Sequence, residues 1–242
     1  NAVHPGYGFL AENATFAERS ADAGLVFVGP PPSAIAAMGS KIEARAIAVQ
    51  AGVPVVPGTG QPLAGVEEAI EVAQAIGFPV AFKASAGGGG RGFRVAQTAD
   101  DVEAAFTGSS GEATRYFGNS AVYAERYLGA ARHIEMQLMA DSHGNAVWLG
   151  ERDCSVQRRH QKLIEEAPAV ELRPETRQAL GDASVALACK VGYQNAGTVE
   201  FMVEPSGEFF FLEMNTRIQV EHTITEETTG IDLVREQLLI AA

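Results

Sequence analysis

Three short stretches carry residues whose types and spacing could do chemistry. The first runs from Lys83 through Gly87-Gly88-Gly89-Gly90-Arg91-Gly92. It matches the dinucleotide pattern G-x-G-x-x-G only formally, because that pattern must open a helix. Here Phe93-Arg94-Val95-Ala96 follow, and they spell a strand. No Gly-Lys-Ser/Thr ends the run, so it is not a Walker loop either. What remains is strand, glycine loop, strand. Glycine amides approach a polyphosphate closely and donate to it, and such a hairpin can close over a nucleotide as a lid. The same run also fits an ordinary surface hairpin.

The second stretch pairs carboxylates. Residues 198–203 and 209–215 flank Glu204-Pro205-Ser206-Gly207-Glu208, a turn signal between two strand patterns. A hairpin centred on Ser206-Gly207, with a two- or four-residue loop, sets Glu200 opposite Glu213 with Asn215 two residues further on that face. Opposed carboxylates repel unless something bridges them, and two carboxylates plus an amide oxygen suit Mg²⁺ or Mn²⁺ held jointly with phosphates. A solvated acidic face is the competing reading. The third stretch, Gln157-Arg158-Arg159-His160-Gln161-Lys162, is a basic loop suited to small oxyanions or to a plain solvated turn. Beyond the hairpin, Arg217, Gln219 and Glu221 alternate. An extended segment would project them to one side beside Glu213 and Asn215, a setting for a small anion that must lose a proton.

The elements that must position these groups read as a mixed chain. Helices are expected at 12–23, at 40–51 behind a Ser40/Glu43 capping box, and at 66–76, 100–106, 174–191 and 230–242. Strands are expected at 25–28, 79–83, 92–96, 121–127, 132–140, 146–151, 198–203 and 209–214. The fold class is therefore α+β (α/β mixed), with a mostly antiparallel later part rather than a doubly wound sheet throughout. A proline-punctuated segment at 52–58 reads as a linker. The missing Met and the unfinished C-terminal helix pattern read as a piece of something longer.

Composition narrows the classes. At 242 residues, 46% hydrophobic and 20% charged, the chain can build a sizeable core. Its net charge of −12 argues against nucleic acid as a general partner. No apolar run nears a membrane span and no signal peptide is visible. Two cysteines, Cys154 and Cys189, are too few for a disulfide framework or a structural zinc site and fit reduced cytoplasmic thiols.

Taken together, the motifs resemble the biotin carboxylase component of biotin-dependent carboxylases, an ATP-grasp family. The resemblance rests on His4-Pro5-Gly6-Tyr7-Gly8-Phe9-Leu10 with Glu12-Asn13, on Met38-Gly39-Ser40-Lys41, and on Lys83 with the glycine loop. It continues through 151–162 and 213–222, the two long and specific matches. It departs from the common pattern at Ser85-Ala86, at Arg126 where a lysine is frequent, and at His222-Thr223.

The resemblance implies an ATP-grasp fold at 39–242, with a mobile lid at about 56–127, behind a partial Rossmann-like N-terminal domain at 1–38. It implies a ligase that carboxylates biotin from ATP and bicarbonate through carboxyphosphate. By family role Lys41, Lys83, Gly88, Gly89, Gly90, Glu125, Leu128, His133, Gln157 and His160 hold nucleotide, with Tyr7 also at the ligand site. Glu200, Glu213 and Asn215 hold Mg²⁺ or Mn²⁺. Lys162, Arg217, Gln219, Val220 and Glu221 surround bicarbonate, with Glu221 as general base. The implied partners are a biotin carboxyl carrier domain and a carboxyltransferase, and the complete protein is expected to be a cytoplasmic homodimer. The acceptor finally carboxylated (acetyl-CoA of fatty acid synthesis, propionyl-CoA, methylcrotonyl-CoA or pyruvate) stays open. The alternatives are an ATP-grasp ligase of the carbamoyl phosphate synthetase type and a nucleotide-binding module without chemistry.

Overall fold

The structure, a computed structural model, describes residues 1–85, 91–158 and 161–242. Strands β1 (Ala2–Val3) and β2 (Val26–Phe27) pair in parallel around α1 (Ala14–Asp22), whose N-terminus is capped by the Asn13 side chain. Helices α2 (Pro32–Gly39) and α3 (Lys41–Gln50) follow. Ser40 caps α3 by accepting from the Glu43 amide at 3.4 Å, one half of the expected capping box. A reciprocal box forms instead at Thr98 and Asp101.

Residues 63–124 build a separate packing unit. Strands β3 (Val80–Ala84), β4 (Phe93–Ala96) and β5 (Val122–Arg126) form an antiparallel sheet in the order β4-β3-β5. Helices α4 (Val66–Ile76) and α5 (Val102–Phe117) cover it, burying Val80, Phe82, Val102 and Val122. The α5 helix runs eleven residues past the expected 106. Its interior Gly108, Ser109, Ser110 and Gly111 read as breakers, but the packed face overrides that propensity, with Ser109 Oγ donating to the Phe82 carbonyl at 3.1 Å.

The larger unit is a five-stranded antiparallel sheet, order β10-β9-β6-β7-β8. It is built from β6 (Arg132–Ala140), β7 (Ala146–Arg158), β8 (Gln161–Glu166), β9 (Asn195–Val203) and β10 (Phe209–Asn215). The edge strand β8 was not expected from sequence, and the described residues of the expected basic loop are not a loop, since Gln157 and Arg158 of β7 pair with Lys162 and Gln161 of β8. Helices α2, α3 and α6 (Pro174–Val191) pack on one face over Ile134, Met136, Leu138, Val199 and Phe201. Two further helices, α7 (His222–Thr229) and α8 (Leu233–Ala241), complete the chain. Neither α2 nor α7 was expected; both are short and take their stability from packing rather than from an amphipathic repeat.

On the other face, β6 presents His133, Glu135 and Gln137 between its apolar residues, the period-two rule of a strand. Two bulges then change what this face carries. In β7 one extra residue enters between the Met136–Glu151 and Leu138–Trp148 pairs, beside Gly150 at φ +96°. In β10 the register shifts between Phe211 and Glu213. The hairpin turn itself is the three-residue loop Pro205–Gly207, closed by Glu204 N donating to Glu208 O at 2.8 Å, with Gly207 at φ +93°. That turn alone would set Glu213 one place off Glu200, and the bulge restores the pair. Glu200 does face Glu213, although by a route different from the expected two- or four-residue turn.

Candidate active site

Because directly opposed residues share a face, the pairs Glu213↔Glu200, Glu200↔Glu135 and Glu135↔Arg152 form one charged row across four strands. Three carboxylates side by side repel, and the fold answers with two cations. Arg152 Nε donates to Glu135 Oε1 at 2.5 Å. Lys162 Nζ donates to Glu135 at 2.5 Å, Glu221 at 2.9 Å and Glu200 at 3.3 Å. Burial depresses the Lys162 ammonium, but the charges of Glu200 and Glu135 outweigh it and hold the group well above its ordinary value. Burial pushes Glu221 up, and the Lys162 bond and charge more than reverse this, leaving it below the usual carboxylate range.

Glu200 is the most heavily bonded member of the row. His133 Nε2 lies 2.5 Å from one oxygen, and Asn215 Nδ2 donates to the other at 2.7 Å. Gln157 Nε2 lies 2.7 Å from His133 Nδ1 and fixes the ring so that Nε2 is directed at Glu200. Burial raises Glu200, but the His133 hydrogen bond and charge, then Lys162, pull it well below normal. Glu213 contrasts with it. Its carboxylate accepts no hydrogen bond among the described residues, and burial with the neighbouring Glu200 charge raises its pKa. The row therefore ends in a carboxylate without a cation in contact, and the donor set Glu200, Glu213 and Asn215 consists of hard oxygens. Among the described residues no cluster of three or more His, Cys, Asp or Glu could hold a metal unaided. A divalent ion here fits only if ligand oxygens complete its shell.

A cleft of about 370 Å³ lies beside this row, between the two sheets. Its floor is His133, Glu200, Met202 and Glu213, its roof Ala81, Lys83 and Phe93, and Tyr127-Leu128-Gly129 close one side. Lys83 is paired with Glu125, and Arg45 approaches the same carboxylate at 3.9 Å. Lys41 lines the cleft from the first residue of α3, a position where the helix dipole opposes a cation. It makes no ion pair among the described residues, and burial depresses its pKa despite the attraction of Glu213. A lining that includes Lys41, Arg45, Lys83, Arg91 and Arg126 together with an apolar slot makes this cleft suited to a polyphosphate bearing a flat base.

The structure thus gathers Lys41, Lys83, Glu125, Leu128, His133, Gln157, Glu200 and Glu213 around one cleft. Lys162, Gln219, Glu221, Asn215 and Arg217 meet beside it through Glu200. Residues 216–221 are irregular rather than extended, so alternation is not what assembles them. Arg217 reaches Asn215 Oδ1 at 3.1 Å and Glu12 at 3.0 Å, and Gln219 is buried with Nε2 3.4 Å from Glu200. Val220 and Tyr7 are exposed and outside the cleft lining. Gly88, Gly89, Gly90 and His160 lie outside the described residues. Sequence reasoning missed Glu135, Gln137 and Arg152. The signal was present in β6, where polar residues alternate with buried apolar ones; for Arg152 no local signal existed.

Comparison with known proteins places this arrangement. Residues 40–242 match the family described as carbamoyl-phosphate synthase L chain, ATP binding domain, and residues 1–35 match the biotin carboxylase N-terminal domain. Biotin carboxylase 2 of Bacillus subtilis is 53% identical over 242 residues, covering all of this chain and 54% of that protein. Human mitochondrial pyruvate carboxylase is 53% identical over 241 residues, covering all of this chain and 20% of that protein. The chain therefore spans between a fifth and about half of these relatives. Among solved structures, the biotin carboxylase domain dimer of Hydrogenobacter thermophilus 2-oxoglutarate carboxylase, in complex with MgADP, ADP and bicarbonate, superposes with a TM-score of 0.94. It is 47% identical, over 99% of this chain and 53% of that one.

Proposed function

We propose, from the premise that this chain belongs to the biotin carboxylase family of ATP-grasp ligases, that it carries the nucleotide and bicarbonate sites for carboxylating biotin. The observation that supports this most is the row Glu213–Glu200–Glu135–Arg152 with Lys162 and Glu221 at its side. It joins an uncompensated carboxylate at a polyphosphate cleft to a donor-rich pocket for a small anion. In this reading Lys41 and Lys83 hold phosphate oxygens, while Glu125 and Leu128 sit at the base and sugar end. His133, Gln157, His160 and the glycines Gly88, Gly89 and Gly90 complete the nucleotide site, with Tyr7 also among the ligand-binding residues.

Glu200, Glu213 and Asn215 hold Mg²⁺ or Mn²⁺, which when bound neutralises charge on the phosphoryl oxygens. Lys162, Arg217, Gln219 and the Val220 backbone orient bicarbonate. Glu221 takes its proton so that a bicarbonate oxygen attacks the γ-phosphorus, giving carboxyphosphate and ADP. A positioned base with a low pKa suffices, because the same Lys162 that lowers Glu221 acidifies bicarbonate.

The proposal extends to the domain division, with 1–38 preceding an ATP-grasp unit at 39–242 and a lid at about 56–127. It also includes biotin borne on a carrier domain, a carboxyltransferase partner, a homodimer and a cytoplasmic site of action. The solved dimer of the 2-oxoglutarate carboxylase domain supports the dimer. Among the described residues no helix is long and apolar enough to cross a membrane. The complete protein should cleave ATP only with bicarbonate and divalent metal present, and faster when free biotin is added. Cleavage that ignores bicarbonate, or that needs an ammonia donor, would overturn the reading.

A further inference from the structure

Arg152 takes no part in the chemistry just described, yet its side chain is 0% exposed and each guanidinium N–H has an acceptor. Nε donates to Glu135 Oε1 at 2.5 Å. Nη1 donates to Gln137 Oε1 and to Thr225 Oγ1, both at 2.8 Å. Nη2 donates to Gln219 Oε1 at 2.9 Å and to Thr198 Oγ1 at 3.2 Å. Building a site for a buried cation requires a reason, because a buried ion pair is rarely more stable than an apolar replacement. The β7 bulge beside Gly150 makes the placement more deliberate still. Without it Arg152 would share the apolar face of Trp148, since one residue of slip moves a strand's side chains to the opposite face.

We infer that Arg152 is the positioning residue of the anion pocket, setting both the Lys162 ammonium and the orientation of the Gln219 amide. This rests on the function proposed above. Two links carry it. By occupying Glu135 Oε1, Arg152 leaves Oε2 as the acceptor that fixes Lys162 Nζ at 2.5 Å. By donating to Gln219 Oε1, it forces that amide to turn Nε2 toward Glu200 and the pocket, because a guanidinium can only donate. The pocket therefore meets an oxyanion with N–H groups and never with the amide oxygen. Gln137, Thr198 and Thr225 hold the guanidinium plane between these two links. A lysine could keep the charge but could not make this fork.

The test uses the complete protein and separates bicarbonate from nucleotide. Arg152→Lys should raise the bicarbonate KM at least about tenfold, the loss of one or more charge-assisted bonds, with the ATP KM within about twofold. In a Gln219→Ala background the same substitution should cost at least about threefold less, because one of its two links is already gone. A folded Arg152→Lys enzyme with an unchanged bicarbonate KM, or effects that simply multiply, overturns the inference. If Arg152→Lys does not fold, the isosteric pair Thr198→Val with Thr225→Val decides. It loosens the guanidinium while touching neither Lys162 nor Gln219, and an unchanged bicarbonate KM there overturns the inference as well. A wild-type enzyme without bicarbonate-dependent ATP cleavage would fell the proposed function and this inference with it, whereas an active wild type with an indifferent Arg152 fells the inference alone.

Discussion

The two halves of the site hold their cations in opposite ways. Lys162 touches three carboxylates and sits over a row whose other cation, Arg152, is fully bonded. Lys41 makes no ion pair among the described residues, and Lys83 is paired only with Glu125. The carboxylates differ in the same sense, Glu200 being saturated by His133, Asn215 and Lys162 while Glu213 has none of these. One end is finished before any ligand arrives, and the other is left for the ligand to complete. Preorganised donors stabilise developing charge without reorganisation, which suits the place where a bond is made. A lysine without an ion pair among the described residues, Lys41, and one held by a single carboxylate, Lys83, suit a phosphate chain that must enter and leave.

The largest expected effect lies at the finished end. Glu221→Gln keeps the size of the side chain and its contact with Lys162 but cannot take a proton. Bicarbonate-dependent ATP cleavage should fall by about 10²–10⁴-fold with ATP binding intact. A variant keeping more than about a tenth of wild-type turnover would reduce Glu221 to an ion-pair partner and weaken the contrast.

Next, the two facing carboxylates should respond differently to the same change. Glu200→Gln breaks a buried network and should cost about 3–5 kcal/mol in thermal or denaturant unfolding. Glu213→Gln should leave stability near wild type, yet raise the Mg²⁺ needed for half-maximal ATP cleavage by more than about tenfold. Equal stability losses for both would erase the distinction between the saturated and the open end.

At the cleft, Lys41→Ala and Lys83→Ala should each raise the ATP KM by about tenfold or more, the value of one hydrogen bond to a charged group. The bicarbonate KM should stay near wild type, and a matching rise in it would mean that the two halves are one coupled unit.

The smallest effect is a pH-dependent one at the rim of the finished end. Asp153 is raised by burial but lowered further by bonds from Ser155 and Arg132, so its folded pKa lies below the unfolded value. The stability it contributes is present above the unfolded carboxylate pKa near ~3.9 and is lost as pH falls through the lower folded value. With Arg132 partly solvent-screened, Asp153→Asn should cost about 1 kcal/mol at neutral pH. Below about pH 4 the variant should lose stability less steeply than wild type, and parallel acid limbs in equilibrium unfolding would refute the assignment.

Much of this arrangement could be read from residues alone. Period and punctuation placed helices α4 and α6 to the residue, and strands β3, β6, β9 and β10 to within a few residues. The runs at 151–162 and 213–222 identified the family, and the hairpin pattern put Glu200 and Glu213 on paired strands, although the expected turn was not the one formed and a bulge sets their final register. Short helices such as α2 and α7 escaped because packing, not local pattern, holds them, and β8 escaped because its exposed Leu163 and Ile164 give no buried stripe.

Which face each charged side chain enters was decided by the tertiary structure. Along a strand that choice is a matter of odd or even position, and one bulge residue reverses it for everything beyond. The Gly150 bulge turned Arg152 away from Trp148 toward Glu135, and the shift after Phe211 turned Glu213 from the core to Glu200. Neither bulge is written in composition or periodicity, because each is stabilised by the neighbouring strands and by the ion pairs it permits. The sequence determined which charges the protein owns and which strands carry them. Their assembly into one row beside a cleft followed from register, a property of paired strands that no single segment possesses.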